Sequence, residues 1–299
     1  MAKISFWVRI IRASLVAVTI STLFSGCSSL KFAYNQLPEI SSWWLDSYVN
    51  FNDKQAAEAK VALKSLQAWH RKEELPLLAP LLVQAQGQAL KDITTDQACE
   101  LWSQASKRIE AVTQESVRLA TPIVIQLTPR QLQHLEKQWR VKNEDWKKEW
   151  LTPSAEERLK KRTEATADRF SSFYGTLTDE QIKLINQQAM QSTWTPEWGF
   201  QMRVKRQQEQ MQALQSLIQE AAKPGFSMSA AEKTLFNVSM MSVRPQDPAA
   251  LQKQLQLEKQ ACENFAQFHN STSASQRQKA QRKLKSYETD LKDLIKAGS

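Results

Sequence analysis

Glycine is scarce in this chain, with six among 299 residues, and no stretch of alternating β-branched residues is bounded by turns. Both absences argue against a sheet protein. Catalytic signatures are missing too: there is no G-x-S-x-G elbow, H-E-x-x-H pair, Walker loop or G-x-G-x-x-G turn. His70, His134 and His269 lie far apart, and none has a His or Cys at metal-ligand spacing. Aspartates and glutamates are numerous but scattered over polar helix positions, although folding could still bring two of them together. The expectation is a protein that is not an enzyme and needs no metal or cofactor.

One pronounced apolar run occurs, and it belongs to a targeting segment. Lys3, Arg9 and Arg12 precede the short stretch Ala13 to Phe24, which is too short to span a membrane unaided. Ser25-Gly26-Cys27 then gives the small-small-Cys pattern at which bacterial lipoproteins are cut and acylated, with Phe24 where leucine is usual. Residues 1–26 are thus expected as a lipoprotein signal peptide, 27–37 as a lipid-anchored tether and 38–299 as one helical periplasmic domain. Several acyl chains on Cys27 would make a stable anchor. Ser28 follows in place of an Asp that would retain the protein at an inner membrane, so the expected address is the periplasmic face of an outer membrane.

Cleavage before Cys27 removes three of the 40 basic residues and no acid, leaving 37 against 31 and a net charge of +6. That permits contact with acidic surfaces but does not require nucleic acid, and the address argues against it. Cys99 and Cys262 would remain. In an oxidising compartment a pair reads first as a disulfide, with two buried thiols as the alternative.

What the chain does have is helix formers and helix starts. Gln, Lys, Glu, Ala and Leu abound. Leu127-Thr128-Pro129-Arg130-Gln131 is a start device: Thr128 caps the Gln131 N–H, and Gln131 reaches back to the N–H of Thr128. Pro129 sits where its missing N–H costs nothing, and Leu127 with Leu132 can close a hydrophobic staple. The device recurs at Thr178 and Gln181, with Leu177 and Ile182 as staple, and more loosely at Thr94 and Gln97. A degenerate copy spans Thr272 to Gln276. Its glutamines are 34, 50 and 95 residues apart, which makes it a start signal and not a solenoid repeat.

Between these starts the spacing predicts all-α architecture, an elongated bundle of antiparallel helical hairpins. A helix starts near Asn52, and Pro76 and Pro80 are expected to kink or break it. Ser154 with Glu157 opens a helix that Gly175 ends, so it forms a tight hairpin with the one behind Thr178. Further helices start at Thr195, Ser229 and Asp247, and the last runs from Ser273 to about Lys296.

Three aromatic or basic clusters are candidates for contact. Trp43, Trp44 and Tyr48, near the anchor, suit either a membrane interface or, more commonly, the cap of a helical core. Trp139, Trp146 and Trp150 share one helical face, which is usually core but is flanked by basic residues in the manner of a binding face. Arg277, Lys279, Arg282, Lys283 and Lys285 form a basic run that is either a contact surface or a solvated face.

The L-T-x-x-Q motifs at Leu127–Gln131 and Leu177–Gln181 resemble the repeated signature of Spy-like periplasmic chaperones, all-helical cradles that hold unfolded clients on a basic and apolar face. Over nearly its whole length the chain is similar to a family of uncharacterised proteobacterial lipoproteins. That similarity rests on the G-C-S region with Tyr34-Asn-Gln-Leu-Pro38, Trp43-Trp-Leu-Asp46, His269-Asn-Ser-Thr272 and Leu284-Lys-Ser-Tyr287. The resemblances imply a non-enzymatic role in the envelope, chaperone-like or as an adaptor, with unfolded or envelope proteins as partners. The alternative is a structural lipoprotein that binds one dedicated partner or an acidic glycan or lipid surface. Oligomeric state is not written in the sequence.

Overall fold

A computed structural model describes residues 29–297, so the signal segment and Cys27 lie outside the described residues. Among them every regular element is helical. In order these are α1 (Ser29–Val49), α2 (Asp53–Trp69), a π-turn (His70–Glu74), α3 (Leu75–Gln88), α4 (Thr95–Val124), α5 (Pro129–Trp150) and α6 (Ala155–Tyr174). Then follow α7 (Asp179–Gln191), α8 (Pro196–Ala221), α9 (Met228–Met240), α10 (Pro248–Asn270) and α11 (Ala274–Lys296). Two units divide at Leu37, and everything below concerns the larger, Pro38–Ser299.

The predicted starts are where the polar side chains put them. Thr94–Gln97, Thr128–Gln131, Ser154–Glu157 and Thr178–Gln181 each form the full reciprocal capping box, as do Ser273–Gln276 and Asn52–Gln55. Two details differ from expectation. Ser227, not Ser229, caps α9. Ile182, the expected inner staple residue, is 41% exposed, while Ile185, at 1%, takes the core position.

Four of these glutamines do more than cap. Gln131 donates from Nε2 to Gln55 Oε1 (2.6 Å) and to the Asn50 carbonyl (3.1 Å). Gln55 returns the pair, donating to Gln131 Oε1 (3.5 Å) and the Gln126 carbonyl (3.2 Å). Gln181 and Gln276 repeat the arrangement, with Nε2 to Oε1 distances of 3.0 and 2.9 Å and donations to the Ser271 and Thr176 carbonyls. In each case the carbonyl lies two residues before the partner's cap. Each pair is therefore locally two-fold, ties two helix starts together, and satisfies both buried carboxamides.

The irregularity expected at Pro76 takes the form of a π-turn. Pro76 stands at the start of α3, and the chain absorbs its missing N–H in the π-turn, where Leu75 N–H donates to the His70 carbonyl. Widening one turn spares the clash between the proline ring and the preceding carbonyl without ending the helical path. Pro80 and Pro122 sit within α3 and α4.

Helix α4, 30 residues long, is the spine, packing against α2, α3, α9 and α10. Helix α11 lies on α3 and α6, and α6 and α7 form the expected hairpin. Gly175 turns it at φ 79°, and a Cβ there would meet the Lys279 side chain at 2.8 Å. One core cluster gathers Ala89, Tyr174, Ile185, Phe268 and Ala280, with Phe170 stacked on Phe268 at 3.8 Å. A second surrounds Val117, Leu217, Ala231 and Leu235.

The turn between α3 and α4 is held by the end of α10. Asn270 brackets Ile93, accepting from its N–H and donating to its carbonyl, both at 2.9 Å. His269 Nε2 lies 2.9 Å from the Lys91 carbonyl, which can only accept, so Nε2 carries the proton and Nδ1 accepts from the Tyr174 hydroxyl at 2.8 Å. Arg277 adds an ion pair with Asp92.

Candidate functional site

Helices α8, α10 and α4 together line a cavity of about 1100 Å³. That is just above the roughly 300–1,000 Å³ of ordinary ligand pockets. Helix α4 supplies Ala98, Leu101, Trp102 and Ala105; α8 supplies Trp198, Gly199, Met202 and Arg206; α10 supplies Leu257, Ala261, Cys262 and Phe265. Trp146 of α5 and Trp194 complete the aromatic wall. Trp102 remains 45% exposed, unusual for a tryptophan with a core to enter.

Local rules place these groups. Thr195 caps α8 and Pro196 occupies its first turn, which sets Trp194 just before the helix and Trp198 just inside it. Gly199 lets Trp194 fold back over that turn, since a Cβ there would stand 3.0 Å from the indole. Trp150 bridges Trp146 (5.8 Å) and Trp194 (6.0 Å). A cation covers each ring: Lys161 over Trp150 (4.7 Å), Arg162 over Trp194 (5.3 Å), Arg203 over Trp146 (5.9 Å) and Lys253 over Trp198 (4.9 Å). Such contacts are worth about 0.5–2 kcal/mol each and keep the rings in place.

Cys99 and Cys262 are joined as a disulfide between α4 and α10, with Cα atoms 5.3 Å apart. Ala98, Ile93 and Ala266 pack around the bond, so it staples one wall of the cavity.

The charged groups at the lining are mostly paired. Lys205 meets Asp247 at 3.6 Å, and Glu258 accepts from Arg244 at 2.9 Å. Arg206 has no ion pair or hydrogen bond among the described residues, and burial, then the nearby Arg203, push its pKa down. The Trp146 indole N–H is buried without an acceptor. Among the described residues no three His, Cys, Asp or Glu side chains stand together in a way that could hold a metal ion.

The structure separates the sequence candidates. Trp146 lines the cavity, Trp150 packs behind the wall against Trp146 and Trp194, and Trp139, on the same helix, does not line it. The basic run of α11 serves other contacts. Arg277 holds Asp92, Thr272 and the Asn270 carbonyl, Lys285 pairs with Glu288 at 2.9 Å, Lys283 covers Tyr287 at 5.1 Å, and Lys279 lies across Gly175. Arg282 is exposed. Trp43 and Trp44, expected in a core cap, are 74% and 51% exposed, because α1 turns that face outward. Trp194, Trp198, Trp102 and Arg206 escaped the sequence reading, although Trp-Thr-Pro-Glu-Trp around a helix cap was visible. A shallower groove of about 620 Å³ runs between α5 and α8, with Lys137, Arg140, Lys147 and Phe200 among its walls.

No described helix is long and apolar enough to cross a membrane. No curated protein and no solved structure matches the chain. A family model matches residues 47–237, which take in the α4, α5 and α8 walls of the cavity and leave out the α10 wall. The chain belongs to that family, described as a family of unknown function (DUF6279).

Proposed function

We propose that this is a non-enzymatic binding protein of the cell envelope, acylated at Cys27 and held at the periplasmic face of the outer membrane, with a chaperone-like or adaptor role. The observation that carries the reading is the tryptophan-walled cavity between α8 and α10. An apolar chamber with an exposed Trp102 favours shelter for apolar or amphipathic guests. The outward-facing Trp43 and Trp44 suit the membrane interface near the anchor.

The test measures aggregation of several unrelated unfolded proteins at near-stoichiometric ratios, at low and high salt, beside a variant with the cavity filled by Ala261→Trp. Ala261 is exposed, so the replacement leaves the core intact. Broad protection, weakened by salt and lost in the filled variant, is expected. No protection of any client sinks the chaperone-like reading. A second reading is then preferred, one dedicated envelope partner or acidic surface, which the basic groove of Lys137, Arg140 and Lys147 favours.

A further inference from the structure

Helix α8 carries to the cavity a cation that the protein does not use. Of the charged side chains at the lining, Lys205 is answered by Asp247, and Glu258 by Arg244 and Gln254. Arg203, just outside, donates to Asn143 and covers Trp146. Arg206 and Glu209, one turn apart on α8, have no such partner among the described residues, and no ion pair links them. A half-buried guanidinium without acceptors loses hydration that nothing in the protein replaces. An apolar chamber with a guanidinium in want of an acceptor lacks a group that brings oxygen atoms and negative charge.

The aromatic wall argues for the same sign. Tryptophan cages commonly take quaternary ammonium ligands. Of the lining tryptophans, Trp146, Trp194 and Trp198 already hold Arg203, Arg162 and Lys253, and Trp150 behind them holds Lys161. At those three a cationic guest would have to displace a resident cation, which leaves Trp102 as the lining indole open to one.

We propose that the cavity holds a single-chain amphiphile with an anionic head, carboxylate or phosphate. The head accepts from Arg206, and the chain lies along Trp102, Leu257 and Phe265. The proposal rests on the reading of this cavity as the binding site. Glu209 stands one turn from Arg206, so a zwitterionic head with an ammonium beyond its phosphate is accommodated as well.

The experiment uses protein carrying Cys27→Ser, so that no acyl chain of its own competes. Probes are a long-chain fatty acid brominated on its chain, the brominated alcohol of equal length and an alkyl trimethylammonium of equal length, all below their micelle concentrations. Bromine quenches nearby indoles, so tryptophan fluorescence reads chain entry. The acid should quench saturably and bind at least about ten-fold more tightly than the alcohol. Arg206→Gln should weaken the acid by about ten-fold or more and leave the alcohol unchanged. Arg206→Lys, the check if the Gln variant unfolds, should retain part of the preference. A brominated lysophosphatidylethanolamine distinguishes the two heads: tighter binding than the fatty acid, lost in Glu209→Gln, assigns the zwitterion, and equal binding assigns the simple anion. Equal binding of acid and alcohol, competition by the trimethylammonium as strong as by the acid, or indifference to Arg206→Gln overturns the proposal. If no probe quenches while clients are still protected in the Ala261-dependent manner above, the amphiphile falls and the binding reading stands. If protection is absent too, both fall.

Discussion

A glutamine and a glutamate serve equally well in an isolated capping box, because only the acceptor oxygen is used. Gln131 shows why this chain has glutamine. Its Oε1 accepts from the Thr128 N–H at 2.9 Å, and its Nε2 donates to Gln55 and to the Asn50 carbonyl. Gln131→Glu keeps the cap, strands the Asn50 carbonyl and places a carboxylate in a site 6% exposed. An unsatisfied buried partner costs about 1–3 kcal/mol, so the denaturant midpoint should fall accordingly. Gln97→Glu is the control: its carboxamide answers only the Thr94 N–H, and the same change there should stay within about 0.5 kcal/mol. Equal losses at the two positions would mean that the glutamine pairs add nothing beyond capping. Lys279 leads to a similar distinction. It packs over the Gly175 turn, so Gly175→Ala should destabilise through positive φ and crowding together, by roughly 1–3 kcal/mol.

At the scale of elements, the disulfide and the α10 clamp fix α4 to α10, whereas α8 meets α10 through Lys253 over Trp198 and through Lys205 on the cap residue Asp247. Cys99→Ser with Cys262→Ser, or reduction, opens a loop of sequence separation 163 and should cost roughly 3–5 kcal/mol in the chain-entropy account, read as a lower melting temperature. The cavity wall should loosen with it, which slower-exchanging amides of α10 in the oxidised form would report. Helix starts were legible in the sequence because a cap is chemistry within four residues, and the Cys99–Cys262 pairing because two thiols have few options. The glutamine pairs were not legible, since Gln55 meets Gln131 across 76 positions and no local rule connects them. The sequence points to a kink or break at Pro76 but not to its form, because a π-turn leaves no composition signature. The cavity was hidden for another cause: apolar residues of α4, α8 and α10 line it, and periodicity alone assigns such stripes to a core.

The molecule as a whole should answer acid in two stages. His269 is 1% exposed, with Nε2–H given to Lys91 and Nδ1 taken by Tyr174. Burial above all lowers its pKa from 6.5; the Lys91 carbonyl opposes this, the Arg277 charge lowers it further, and Asp92 opposes least. A proton on Nδ1 would face the Tyr174 hydroxyl. The unfolded chain therefore binds the proton first, and stability complete above about pH 6.5 declines as pH falls toward the lowered folded value. Burial lowers His70 in the same direction, with Glu74 opposing. Below this stage lies Glu288, 2% exposed and held down to about 2 by the Gln86 carboxamide, then by Lys292 and Lys285. Its contribution is whole above the ordinary glutamate value and is lost as pH falls from there through about 2, detaching α11 from α3. Melting temperature followed from pH 8 to 2 should thus fall once below about 6.5 and again below about 4.5. Two substitutions assign the stages. His269→Gln, which cannot be protonated, should be less stable at pH 8 by about 1–3 kcal/mol through the Tyr174 and Lys91 groups it serves poorly, and should flatten the upper step. Glu288→Gln should flatten the lower step and leave the upper one in place. A single step that neither substitution moves would show that acid unfolds this protein through its net positive charge and not through these two buried groups.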